Sequence, residues 1–487
     1  MTHPLSRRIA EVLELDPHGR AIEYGGQWFS WGQLGAQAGH IAALTESVAK
    51  VGILLRNTPA HVAAFLGVLL GGGCVVVINP ARGDERTRVD IADLSLPAVI
   101  GTAEDISSLV DPAAELIRVT ITDLDQPPMA SHAEGHAPAV RTGVAVRMPT
   151  SGTTGPAKRV DLTYDMLAHS VIGLDFAQSP TPAAVSENVA IVNAPLVHIG
   201  GVFRVLQCVA EARPFALLAR FELDAWADAV RRYRPRAVSL VPAALRMVLH
   251  SDLGREDLAG IRAVMSGTAP LSADDADAFT ARFGIPVLTF YAATEFGGGV
   301  AGWTLADHQR HWQAKRGSVG RASLGAQLRV VDDDGTPLGP DQPGLLEVKP
   351  GQLGPAAEWV RTTDLARIDA DGFLWILGRS DQAIIRGGFK VLADDVRAAL
   401  ESHPAVRGAA VVGREDERLG EAPVAMVELR EAATAADLLD YLRNRLAPYE
   451  IPTDIAIVAT IPRTPSGKAD LTAVRQHFFE AVSGRGR

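Results

Sequence analysis

Cysteine, lysine and long apolar runs are scarce in this chain, and each scarcity excludes something. Only two of 487 residues are cysteine, Cys74 and Cys208, both in apolar surroundings. That excludes a disulfide framework or a cysteine metal site and points to buried thiols in a reducing compartment. No stretch approaches the ~18–20 uninterrupted apolar residues of a membrane span. The opening MTHPLSRRIAEVLEL is amphipathic without an apolar signal core, so a cytoplasmic protein with no stable membrane insertion is expected. Bases are fewer than acids, and a formal charge of −10 argues against a general nucleic-acid or membrane-surface binder. Among the bases, arginine outnumbers lysine 41 to 6, which makes each lysine worth examining.

What is present is globular. Hydrophobic residues make up 47%, and the length exceeds the ~250–300 residues at which one core stops growing, so two or more domains are expected. KVGILLRN and CVVVINP read as strands, with AHVAAFLGVLLGGG between them as a buried helix ending at glycines. AVSLVPAALRMVLH and IRAVMSGTAPLSADDADAFTARFGIPVLTFYAATE repeat the strand–helix order of a parallel sheet covered by helices, with Ser272 opening a helix. From about residue 318 glycine-rich short strands take over, with a hairpin turn at DDDG. A boundary is expected near Ser380. The fold class is therefore α/β: a large N-terminal domain, 1–380, of several subdomains with parallel-rich sheets and a β-rich part, and a small α+β C-terminal domain, 381–487.

The stretch MPTSGTTGPAKRV cannot sit inside a stable helix or strand. Its glycines, Gly152 and Gly155, do not match the GxxxxGK[ST] phosphate loop, and Lys158 precedes an arginine. Backbone N–H groups, the hydroxyls of Thr150, Ser151, Thr153 and Thr154, and one cation still suit an anion. Read alone, a plain solvated turn is the commoner reading of such a cluster.

The run is not alone. TSGTTG–PAK is followed in order by APLVHIGG (194–201), SGTAPLS (266–272), YAATE (291–295), RTTDLARIDADGFLWILGR (361–379), GRSDQAIIRGG (378–388) and PRTPSGK (462–468). This series resembles the signatures of the adenylate-forming superfamily, most closely an acyl-CoA synthetase, over residues 150 to 468. The first 150 residues fit that family's opening subdomain in length and order.

The resemblance implies ATP, Mg²⁺ and CoA as the small molecules, with loop 150–158 holding the β and γ phosphates. It implies that Thr294 meets phosphate, Tyr291 and Ala292 lie against adenine, and Glu295 holds Mg²⁺, for which one protein carboxylate suffices. Ser266, Gly267 and Thr268 would present backbone to the adenine edge. Asp364 would grip the ribose hydroxyls and Arg379 would reach ribose or phosphate. Lys468 would be the adenylation lysine, a compact ammonium following charge to the bridging phosphate oxygen. Asp381 would be the hinge of a mobile C-terminal domain, with Arg386, Gly387 and Gly388 brought to the CoA tunnel by rotation. Val197, His198, Gly200, Gly201, Gly297 and Gly298 would line the acyl pocket, the glycines leaving room. Taken singly, His198 also reads as a structural histidine and Gly387–Gly388 as a hairpin turn.

PLVHIGGVF offers no carboxylate to pair with a substrate ammonium, so the acid is expected to lack an α-amine and to be apolar or aromatic. The acceptor is CoA or a carrier-protein pantetheine, and a homodimer stays open. An enzyme that stops at the adenylate and an inactive nucleotide- or acyl-binding protein remain the alternatives. Departures from the family pattern stand at Ala292, Thr363, Gln382 and Leu471.

Overall fold

A computed structural model describes residues 2–82, 84–131, 142–149, 159–323, 325–380, 383–386, 389–416, 420–464 and 467–484. The loop 150–158, Asp381, Gln382, Gly387 and Gly388 lie outside the described residues.

Apolar runs in the first half make a seven-stranded sheet. Its inner strands, Lys50–Leu54, Cys74–Ile78, Ala98–Gly101, Ile117–Thr120 and Val144–Pro149, are parallel. The edge strands Met129–Ala130 and Arg159–Thr163 are antiparallel. The helix Pro59–Leu70 carries apolar residues all round because it is buried all round, between this sheet and the helix Trp31–Leu44. Gly67 permits that approach: a Cβ there would lie 2.5 Å from the Ala38 carbonyl oxygen.

A second sheet begins with three parallel strands, Ala237–Ser239, Ala263–Ser266 and Val287–Ala293, and turns antiparallel with Gly298–Gly302 and Arg321–Ala322. Ser272 caps the intervening helix Ala273–Phe283, accepting the Asp275 N–H at 3.1 Å. A small four-stranded sheet pairs 20–24 and 27–30, which precede the first sheet in sequence, with 190–192 and 215–217, which follow it.

The glycine-rich region is an antiparallel meander, Gln327–Val331, Gly344–Lys349, Val360–Ile368 and Leu374–Arg379. DDDG is a turn, with Gly335 at φ +90. The last hundred residues form a separate sheet, Ala383–Arg386, Phe389–Leu392, Val406–Asp416, Gly420–Leu429 and Asp454–Val458, packed with helices Ala393–Glu401, Ala435–Arg443 and Leu471–Gly484. Its two buried clusters draw only on residues 384–478. The chain is thus mixed α/β, a large N-terminal part followed by a small α+β unit. Among the described residues no helix is long and apolar enough to cross a membrane.

Candidate nucleotide and acid site

The second sheet and the meander deliver side chains to one place. The strand Val287–Ala293 carries Tyr291 and Ala292, then tightens into a 3₁₀ turn at Thr294–Phe296 that ends on Gly297 at φ +71. Its parallel neighbour ends at Ser266, in register with Thr289. Gly267 follows because a Cβ there would meet the Phe290 ring at 2.6 Å. Thr268 holds a left-handed φ of +70, unusual for a β-branched residue and costly by about 1–3 kcal/mol. Such strain concentrates where the backbone has a task beyond folding. The Ser266 hydroxyl is buried with no hydrogen-bond partner among the described residues.

On the meander, Asp364 and Arg379 are direct cross-strand partners. The phenol of Tyr291 donates a hydrogen bond to the Asp364 carboxylate, joining the two sheets. Burial and then the Asp364 charge push that phenol well above the usual tyrosine range. The Asp364 N–H donates to Thr362 Oγ1 at 3.1 Å. Arg379 donates Nη2 to Thr363 Oγ1 at 2.8 Å, and the Ser380 hydroxyl donates to the Thr363 carbonyl at 3.0 Å. The Thr363 hydroxyl therefore aims Arg379.

The C-terminal unit contributes one residue. Thr464 donates its N–H to the Lys468 carbonyl at 2.7 Å, and Gly467 takes φ +79. This presents the Lys468 side chain, half-buried, to the charges of Arg379, Asp364 and Glu295. Burial lowers the ammonium below the usual lysine range and Arg379 lowers it further. Asp364 and Glu295 act in the opposite direction. Five of the residues picked from sequence, Tyr291, Glu295, Asp364, Arg379 and Lys468, thus form one electrostatic cluster drawn from the second sheet and the turn after it, the meander and the C-terminal unit.

The acid side is mixed. His198 is the extended residue before the helix Ile199–Ala210, at φ −121 and ψ 151. The segment before it is fastened by Asn57, which donates to the Ala194 and Leu218 carbonyls at 3.0 and 3.1 Å and accepts the Leu196 N–H at 2.7 Å. Nothing in the local sequence marked that asparagine. Val197 packs into the core of the first sheet. Gly201 is a packing glycine, since a Cβ there would lie 2.2 Å from the Pro195 carbonyl oxygen. Gly297 and Gly298 are packed on Met166 and Ser170, whose hydroxyl donates to the Gly297 carbonyl at 2.8 Å. Room for a Cβ at ordinary contact distance is found instead at Gly200 and Gly299, where the nearest atoms would lie at 4.0 and 3.9 Å.

Arg386 donates Nη1 to the Tyr449 and Ile451 carbonyls at 2.9 and 3.0 Å and lines a groove of about 460 Å³ on the C-terminal unit with Arg443 and Thr453. Leu471 begins the final helix. Among the described residues no group of three or more metal-ligating side chains occurs.

Residues 9–354 match the family described as AMP-binding enzyme, and residues 395–468 match the AMP-binding enzyme C-terminal domain. The chain belongs to the AMP-binding enzyme family. It is an adenylate-forming enzyme of the acid–CoA ligase kind. An indoleacetate–CoA ligase of Aromatoleum aromaticum is 29% identical, with 97% of this chain and 98% of the relative covered. A 4-coumarate–CoA ligase-like protein of Oryza sativa subsp. japonica is 28% identical over 91% of this chain and 81% of its own length. The crystal structure of ATP-bound MatB from Rhodopseudomonas palustris superposes with a TM-score of 0.81 at 25% identity, covering 97% of this AMP-binding enzyme and 99% of MatB.

Proposed function

We propose that this AMP-binding enzyme is an acyl-CoA synthetase for an apolar or aromatic carboxylic acid without an α-amine. The observation that carries the reading is Lys468, held half-buried near the charges of Glu295, Asp364 and Arg379 although it arrives from the C-terminal unit. A cation delivered to a cluster of nucleotide-type ligands suits the first half-reaction. There a carboxylate oxygen attacks the α-phosphorus of ATP, the bond to the bridging oxygen breaks, and pyrophosphate leaves. Lys468 follows the charge that develops on the oxygens around phosphorus. Asp364 and Arg379 hold ribose, Tyr291 fixes Asp364, and 266–268 face adenine. An exposed lone carboxylate such as Glu295 fits Mg²⁺, which binds few protein groups and keeps its waters; there it would neutralise phosphate charge.

In the second half-reaction the thiol of CoA attacks the acyl carbonyl, its proton passes to solvent and AMP leaves. A thiol of pKa ~8.5 is partly ionised near neutrality, so no dedicated base is needed. The same site serves both halves if the C-terminal domain, 381–487, turns at Asp381 and brings Arg386–Gly388 to the tunnel. His198, Gly200 and Gly299 border the acid, where no carboxylate from 194–202 meets an ammonium. The aromatic acids for which the two relatives are named support an aryl substrate.

Mass spectrometry of products from a panel of aryl and alkyl acids with ATP and Mg²⁺, with and without CoA, tests this. Acyl-CoA formed only with CoA present is expected; acyl-AMP accumulating regardless of CoA overturns the second half.

A pH dependence follows from the same lysine. Lys468 acts protonated, and its ammonium is lowered, so adenylate formation is expected to fall on an alkaline limb below the ~10.4 of free lysine. Arg379→Gln removes one cause of the lowering and is expected to move that limb upward. Pyrophosphate release followed from pH 7 to 10.5 reads both.

A further inference from the structure

The two parts of the chain are joined by an ion network outside the nucleotide cluster. Arg246, on the helix Pro242–Leu249, donates Nε to Asp275 Oδ2 at 2.7 Å and Nη2 to Glu401 Oε2 at 3.0 Å. Asp275 lies on the same N-terminal part. Glu401 ends the helix Ala393–Glu401 of the C-terminal unit. The same Glu401 oxygen accepts Arg397 Nη1 at 2.7 Å, and Arg397 Nε reaches Asp394 at 3.0 Å. The Arg246, Asp275 and Glu401 side chains are only 15%, 17% and 8% exposed, so this is not a solvated surface pair. A second bridge lies beside it, Arg430 Nη1 to His250 Nε2 at 3.0 Å, with Arg430 anchored on the Val406 carbonyl.

The charges alternate along Asp275, Arg246, Glu401, Arg397 and Asp394. Within this series the Arg246–Glu401 bond is the one that crosses the seam. If the parts separate, Arg246 keeps Asp275 and Glu401 keeps Arg397, so no charge is stranded, which is what makes parting a buried ion pair costly. With Arg246 removed, Asp275 and Glu401 face each other across the seam as two carboxylates.

We propose that Arg246 and Glu401, with His250 and Arg430 beside them, form a reversible latch that holds the C-terminal unit where Lys468 meets the nucleotide cluster. They are positioning residues for adenylate formation, and the latch opens for the thioester step. This rests on the two-step reading above.

The test separates the latch from that reading. Cys74 and Cys208 are buried, their thiols pushed up to about 11, so spin labels go selectively to A225C and A436C, exposed positions on the two parts. Pulsed electron-spin distances on the full chain are expected to show a dominant population at the separation seen here, and R246Q and E401Q are each expected to deplete it. Adenylate formation should fall about tenfold in both variants. Thioester formation from supplied acyl-adenylate should stay the same or rise, and R246K should recover part of the loss. Unchanged distances, or equal loss in both halves with an unchanged melting temperature, overturn the latch. If the wild type turns over no acid, the function reading fails while the distances still decide the latch.

Discussion

Lys468→Ala is expected to lower adenylate formation by about 10²–10³-fold while thioester formation from supplied acyl-adenylate stays within a few-fold of wild type. The asymmetry follows from where the charge moves. In the first half negative charge builds on phosphate oxygens, and a preorganised cation in a site partly shielded from water contributes about 2.7–4 kcal/mol to such a transition state. In the second half the departing phosphate oxygen of AMP also gains charge, but the domain that carries the lysine is proposed to have turned away by then. The fold is not at risk, because Lys468 lies outside every buried cluster and its turn is held by backbone bonds from Thr464 N–H to the Lys468 carbonyl and from Gly467 N–H to the Thr464 carbonyl. Lys468→Arg tests the shape requirement: a planar guanidinium keeps the charge but cannot replace a compact ammonium, and most of the loss should remain. Separate assays of pyrophosphate release and of CoA acylation read the two halves, and equal losses in both would refute the role.

Asp364→Ala is expected to raise KM for ATP about 10- to 100-fold with a smaller change in kcat. A carboxylate hydrogen-bonded to ribose contributes on the order of 1.5–3 kcal/mol, and each ~1.4 kcal/mol is a factor of ten. The variant also frees the Tyr291 phenol, which now donates to that carboxylate. Tyr291→Phe is therefore the control: it loses the phenol but keeps the carboxylate, and should raise KM much less. A further consequence separates ribose binding from simple disorder. Asp364 raises the Lys468 ammonium, so its removal lowers that ammonium further and should draw the alkaline limb of adenylate formation to still lower pH. Steady-state kinetics in ATP at several pH values would show both effects together.

How much of this was legible beforehand depended on range. Local periodicity marked the strands Lys50–Leu54 and Cys74–Ile78, the buried helix between them, and the serine cap at Ser272, because each depends on neighbours within a few residues. Lys468 stood out because a chain with 41 arginines kept a lysine there. The Tyr291–Asp364 bond, the grip of Thr363 on Arg379 and the three bonds of Asn57 join residues 16 to 161 positions apart and leave no periodic trace. Glycine is ambiguous for a related reason. Gly201, Gly297 and Gly298 read as space for substrate, and the fold shows that a Cβ there would press on neighbouring backbone or on the Met166 and Ser170 side chains. A glycine in sequence marks a place where a side chain is excluded, and only the fold tells whether a ligand or the protein itself excludes it.

The most direct measurement uses a carboxylic acid labelled with ¹⁸O in both carboxyl oxygens, turned over once with ATP, Mg²⁺ and CoA, and asks where the label goes. Attack of a carboxylate oxygen on the α-phosphorus leaves that oxygen on phosphorus when the thiol takes the acyl group, so AMP should carry one ¹⁸O and pyrophosphate none. Label in pyrophosphate or inorganic phosphate, or unlabelled AMP beside finished acyl-CoA, would contradict the account.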